Sequence, residues 1–164
     1  MSDVVPRPGV VVVSGVASDS HTWNLVFLQL LLEELGYEVV NLGPCVPDDV
    51  LVEECERLAP VMVVLSSVNG HGHQDGARSV RRLRASQQLV GLPIAIGGKL
   101  GIHEKDNAAH VRKLLDAGFD AVFADGDERV VDFQRFVRAL PGGAPGPAVD
   151  GGVPEPAVDG GVPR

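Results

Sequence analysis

Short valine-rich apolar runs, each followed by an amphipathic stretch long enough for a helix, recur from Val10 to Leu140. β-branched side chains are stiff at χ1 and suit a pleated strand. A strand–helix–strand repeat makes neighbouring strands parallel and covers both faces of the sheet, which is why these runs need not alternate with polar residues. The pattern predicts strands over Val10–Ser14, Glu38–Leu42, Met62–Ser66, Pro93–Ile96 and Ala121–Phe123. It predicts helices over Asn24–Leu35, Pro47–Leu58, Asp75–Gln88, Asn107–Ala117 and Glu128–Leu140. Punctuation agrees: Gly36 and Gly118 stand where a left-handed C-terminal cap is wanted, and Pro47-Asp48-Asp49 reads as an acidic first turn.

Right-handed crossovers turn this order into an α/β fold: a single flavodoxin-like (Rossmann-type) doubly wound domain with a five-stranded parallel sheet, order 2-1-3-4-5. The segments after each strand then gather along one sheet edge. They are Gly15–His21, Gly43–Cys45, Ser67–Gly72, Gly97–Gly98 and Ala124–Gly126, and they hold most of the Gly, Ser, His and Asp that do not belong in a core. Residues 1–140 are expected to form the ligand-binding domain. Beyond Leu140 the composition turns to Pro and Gly, with the unit PAVDGGVP occurring twice, so residues 141–164 are expected to be a disordered Pro/Gly-rich tail.

A net charge of −8 with no Lys/Arg block gives nucleic-acid binding no electrostatic support. The stretch Val10–Val13 is too short for a signal-peptide core or a membrane span, so the expectation is a cytoplasmic protein with no membrane partner. Two cysteines, Cys45 in a turn and Cys55 in a helix, make no disulfide framework and no CxxC pair, and both are expected to be reduced and structural. Among the histidines, His71 and His73 flank Gly72 in an expected loop without a third metal ligand nearby, and His103 and His110 read as solvated. The arginines Arg78, Arg81, Arg82 and Arg84 read as a solvated helix face.

The most informative stretch is GVASDSHTWN, which puts Asp19 and His21 two apart at the carboxyl end of the first strand. A neutral imidazole can bind a metal through one nitrogen while the other donates to a carboxylate, fixing the tautomer and raising ligand basicity. The same residues also read as a helix N-cap, from Asp19 or Ser20, followed by a surface histidine. What favours the first reading is the company: VLSSVNGHG and IAIGGKLG bring small residues to the same edge, where a large flat ligand with an extended tail needs a clear slot.

With these elements in order, the chain resembles the cobalamin-binding family whose pattern runs Asp-x-His-x-x-Gly, Ser-x-Leu, Gly-Gly. Here they are Asp19-Ser20-His21-Thr22-Trp23-Asn24, Ser66-Ser67-Val68 and Gly97-Gly98. The likeness extends over Val10–Leu140 and is greatest to the small subunit of glutamate mutase (methylaspartate mutase). It implies that His21 is the protein ligand to the cobalt of adenosylcobalamin, replacing the dimethylbenzimidazole of the cofactor's tail, with Asp19 hydrogen-bonded to it. Ser20 and Thr22 complete the motif loop, Ser66 and Val68 line the tail pocket, and Gly97 and Gly98 let the tail pass the backbone. It further implies an isomerase: a larger barrel-shaped catalytic subunit binds glutamate, and a radical carbon-skeleton rearrangement gives methylaspartate. No residue of this chain is then catalytic beyond the cofactor ligand. Two positions depart from the pattern, Val68 for Leu and Asn24 for Gly, and the second puts a side chain where the pattern has none.

The same residues admit rival readings. One keeps cobalamin and changes the reaction to another mutase, a methyltransferase carrier or a regulator; such modules come with extra domains, and this chain shows neither a helical bundle nor a fused barrel. Another is an FMN-binding flavodoxin-like protein using Ser18, Ser20 and Thr22 for phosphate, although aromatics are only 4% of the chain. A phosphoacceptor signalling domain would need an Asp after the third strand, where Ser66 and Ser67 stand.

Overall fold

A computed structural model describes residues 9–126 and 128–140. The expected tail, residues 141–164, lies outside them. The elements run β1 (Val10–Gly15), α1 (Trp23–Glu34), β2 (Glu38–Asn41), α2 (Asp48–Leu58), β3 (Met62–Ser66), α3 (Gly72–Ala85), β4 (Ile94–Gly98), α4 (Asn107–Ala117), β5 (Ala121–Ala124) and α5 (Arg129–Arg138). All strand pairs are parallel, and the five-stranded sheet has order β2-β1-β3-β4-β5, the doubly wound topology that the βα repeat predicts.

The two faces divide the valines by parity, as a pleated strand must. Val12, Val63, Leu65, Ile94 and Ile96 face α2, α3 and α4, meeting Leu51, Cys55, Val80, Leu83 and Leu114. Val11, Val13, Met62 and Val64 face α1 and α5, meeting Leu25, Leu32, Phe133 and Val137. Gly36 follows α1 with φ 92° and Gly118 follows α4 with φ 131°, so both caps are where the sequence puts them. No helix among the described residues is long and apolar enough to cross a membrane.

Two boundaries differ from expectation in ways that bear on function. Helix α3 begins at Gly72, before the expected Asp75, so His73 is helical and not in a loop. Its glycines serve close packing: a Cβ on Gly72 would lie 2.9 Å from the Ser67 side chain, and one on Gly76 2.6 Å from Ile96. Strand β4 runs on to Gly98, so Gly97 and Gly98 are its last residues and not a loop after it. Gly97 pairs with Ser66 and Phe123, and Gly98 pairs with Ala124.

Candidate functional site

The loop between β1 and α1 is built around one carboxylate. Asp19 is 1% exposed. Its Oδ1 accepts the His21 backbone N–H at 3.0 Å and lies 2.6 Å from His21 Nδ1, while its Oδ2 accepts the Val68 N–H at 2.6 Å. Its backbone carbonyl accepts from Cys45 N–H at 2.9 Å. One residue thus ties together the segments following β1, β2 and β3. Burial pushes the Asp19 carboxyl pKa up, but the N–H groups of His21 and Val68 and the His21 imidazole outweigh it, and the net value is lowered. An ionised Asp19 can only accept, so His21 Nδ1 carries a proton, and in the neutral imidazole Nε2 is the nitrogen with the lone pair. The His21 side chain remains 59% exposed.

This arrangement removes the capping alternative. Helix α1 begins at Trp23 after Thr22, with no side-chain cap, because the Asp19 carboxylate is committed to His21 and Val68. Ser20 and Thr22 are exposed, and their side chains make no hydrogen bond among the described residues. The structure therefore brings Asp19, His21, Ser66, Val68, Gly97 and Gly98 into one constellation and leaves Ser20 and Thr22 on its rim.

Beside it, between α1 and α5, a cavity of about 360 Å³ opens on the sheet. Its walls are mainly apolar, from Phe27, Leu28, Leu31, Phe123, Val130 and Phe133, and its end nearest Asp19 is formed by Ser66, Val68, Gly97 and Gly98. A Cβ on Gly98 would stand 2.2 Å from the Ser67 carbonyl oxygen, and one on Gly97 3.3 Å from that of Phe123. Gly98 has no room for a side chain, and at Gly97 even a methyl group would be tight. Asn24 reaches in from α1: its Nδ2 donates to Ser66 Oγ at 2.6 Å, and its Oδ1 is buried without a partner among the described residues.

A second polar network was invisible in the sequence. Ser18 Oγ donates to Asp75, and Asn69 Nδ2 donates to the Ser18 carbonyl at 3.2 Å and to Ser18 Oγ at 3.0 Å. Asn69 Oδ1 in turn accepts from Ser67 Oγ at 3.1 Å and from His71 N–H at 2.9 Å. The one available signal was Asn69-Gly70, a pair suited to turns closed by the Asn side chain. Carboxylates beside both Ser18 and His21 make this loop a poor phosphate cradle, which counts against the FMN alternative.

The remaining expectations fare differently. His73 Nδ1 lies 2.8 Å from the Leu100 carbonyl and its ring stacks on that of His110 at 3.9 Å, so His110 is half-buried and not solvated. Burial and the neighbouring His73 and Lys113 lower the His110 pKa against an opposing pull from Asp106. Of the α3 arginines Arg78, Arg81 and Arg82 are exposed, as expected, with Arg78 paired to Asp48 and Asp75 and Arg82 to Asp49, whereas Arg84 is half-buried and binds Asp120 and the carbonyls of Leu89, Val90, Leu92 and Gly118. Cys45 is exposed and Cys55 buried, and both are free thiols.

Among the described residues no group of three or more His, Cys, Asp or Glu could hold a metal ion. A metal meeting His21 Nε2 would have to bring its other ligands with it, as a metal in an organic macrocycle does. The bare-backbone slot, the apolar cavity and the unmatched Asn24 carbonyl fit the tail of such a ligand.

Comparison with known proteins points the same way. A family model described as the B12 binding domain matches residues 9–134. The glutamate mutase sigma subunit of Halobacterium salinarum is 31% identical over 124 residues, covering 74% of this chain and 82% of that protein. That of Fusobacterium nucleatum is 24% identical over 128 residues, 76% of this chain and 93% of that protein. A cobalamin-binding protein from Desulfitobacterium hafniense shares the fold with a TM-score of 0.61 at 24% identity, over 80% of this chain and 60% of that one.

Proposed function

The chain belongs to the B12-binding domain family and is homologous to glutamate mutase small subunits, and from that premise we propose that it is the cofactor subunit of an adenosylcobalamin-dependent glutamate mutase. The observation that carries the reading is His21, its Nδ1 held by buried Asp19, whose other oxygen holds the N–H of Val68 on the wall of an apolar cavity. When bound, adenosylcobalamin supplies the cobalt–carbon bond on which the radical rearrangement of glutamate to methylaspartate depends.

This chain's own residues position and tune. His21 ligates cobalt through Nε2, and Asp19 fixes the tautomer and the orientation of the imidazole. Ser66, Val68, Gly97 and Gly98 receive the nucleotide tail, with residues 1–140 as the cofactor domain. Glutamate must be held elsewhere, in a larger catalytic subunit. Trp23, Val26, Phe27 and Leu30 recur at helical spacing on α1 and are all exposed, Trp23 by 84%. Such an apolar stripe beside His21 suits a surface that a protein partner covers.

Co-expression with the large subunit of a glutamate mutase tests the assignment. The expected result is adenosylcobalamin-dependent conversion of glutamate to 3-methylaspartate, lost in His21→Ala. Turnover of a different carbon-skeleton substrate, with glutamate untouched, would move the chain to another mutase.

A further inference from the structure

Asp19 anchors the β1–α1 loop to the segments after β2 and β3, through Cys45 N–H and Val68 N–H. A second buried carboxylate grips the same loop from α3. Asp75, 9% exposed, accepts from Ser18 Oγ through one oxygen and from Arg78 through the other at 2.9 Å. Arg78 is tied in turn to Asp48 in the first turn of α2 at 2.7 Å, and the other oxygen of Asp48 accepts from Ser79 Oγ at 2.6 Å. Both carboxylates are thus held at both oxygens, which fixes the Asp75 side chain. On the loop itself, Asn69 donates to Ser18 Oγ at 3.0 Å and to the Ser18 carbonyl at 3.2 Å. Ser18 is an exposed residue, so water could satisfy all of its polar groups, and three protein bonds gathered on it serve to restrain the chain. The carbonyl that Asn69 holds belongs to the peptide unit joining Ser18 to Asp19. The backbone from which the Asp19 carboxylate projects toward His21 is therefore fixed at the residue before it.

Resting on the corrinoid reading, we infer that Asp75 is a positioning residue for cobalt ligation, which acts through Ser18 to present His21 to the metal in one placement. Asp75 is bonded to Ser18 and Arg78 and lines no wall of the apolar cavity, so its influence on the metal runs through the loop. Cutting the Ser18–Asp75 bond leaves Asp19 joined to Val68 and His21, but the loop can then turn about that anchor. Only the fraction of chains with His21 aimed at the metal ligates it. Apparent affinity for the metal falls by that fraction, while contacts made elsewhere with the same ligand are unaltered.

The test compares equilibrium binding of cobalamin, and of the same corrinoid without cobalt, to the full chain and its variants. The metal-free form makes every contact except ligation, so a change in the ratio of the two affinities between variants reports on His21 alone. In Ser18→Ala and in Asp75→Ala that ratio is expected to shift against cobalamin on the order of tenfold, the effect of one hydrogen bond to a charged group, with the metal-free affinity unchanged. The double variant is expected to lose no more than Ser18→Ala, because Asp75 acts through Ser18. Arg82→Ala, on the same helix, breaks only an exposed pair with Asp49 and should keep the wild-type ratio. An unchanged ratio in Ser18→Ala, or losses that multiply in the double variant, would overturn the inference. Equal weakening toward both corrinoids would overturn it too, because that marks a merely structural role. Should Asp75→Ala fail to fold, Ser18→Ala at its exposed position decides alone. A wild type that binds neither corrinoid refutes the cobalamin reading itself, which separates that failure from the failure of positioning.

Discussion

Replacing Asp19 by Asn keeps the shape of the side chain and removes its charge, and the surrounding donors determine the cost. Oδ1 faces two donors of His21, and Oδ2 accepts from Val68 N–H at 2.6 Å. An amide can leave its oxygen with His21 only by turning its NH₂ toward Val68, where two donors then meet in a site that is 1% exposed. Losing one charge-assisted bond costs about 1.5–3 kcal/mol, and leaving a buried N–H unpaired costs about 1–3 kcal/mol more. The expected loss is about 2.5–6 kcal/mol, which for a domain of this size lowers Tm by roughly 8–24 °C. Thermal and urea unfolding of the cofactor-free chain, monitored by circular dichroism, measures it. The folded pKa of Asp19 is lowered, so its stabilisation is complete above the unfolded value of about 3.9 and disappears as pH falls through the folded value. The gap between wild type and Asp19→Asn therefore does not close between neutrality and about pH 5 and closes only in stronger acid. A gap below about 1 kcal/mol at neutral pH, or one already closing near pH 6, would refute the charge argument.

Gly98 has φ 111° and no room for a Cβ beside the Ser67 carbonyl, so Gly98→Ala is expected to destabilise by about 3 kcal/mol or more. Gly91→Ala, with nothing within 4 Å, should stay within about 0.5 kcal/mol in the same denaturation assay. Burial, with smaller contributions from Glu54 and Glu56, pushes the Cys55 thiol up to about 12. Mass spectrometry after alkylation near pH 8 should therefore find only Cys45 modified in the native chain and both cysteines modified after denaturation.

The sheet was legible because its signal is local: runs such as Val10–Val13 and Met62–Leu65 declare buried parallel strands without reference to the rest of the chain. The motif residues Asp19, His21, Ser66 and Gly97-Gly98 were legible as a set once strand order put them on one edge. Boundaries failed where glycine has two meanings. Gly72 suggested a loop but opens α3 and lets it lie close to the sheet, and Gly97-Gly98 suggested a loop after β4 but are its last residues. Contacts between residues far apart in sequence left no periodic trace, so the Ser18–Asn69–Asp75 network, the carbonyls gathered by Arg84 and the His73–His110 stack emerged only from the folded chain. Asn24 was visible as a departure from the family pattern, but its unpaired carbonyl depends on Ser66, which no local reading connects to it.

The claim on which the account turns is that His21 is a ligand to cobalt. The direct measurement is the electron paramagnetic resonance spectrum of the chain loaded with cob(II)alamin, made once with natural histidine and once with histidine labelled with nitrogen-15. If His21 Nε2 is the axial ligand, the superhyperfine pattern from one nitrogen changes from a triplet to a doublet on labelling, and the His21→Ala chain does not show the change. A triplet that persists in the labelled wild type would mean that the axial nitrogen comes from the cofactor's own tail, and would contradict the account.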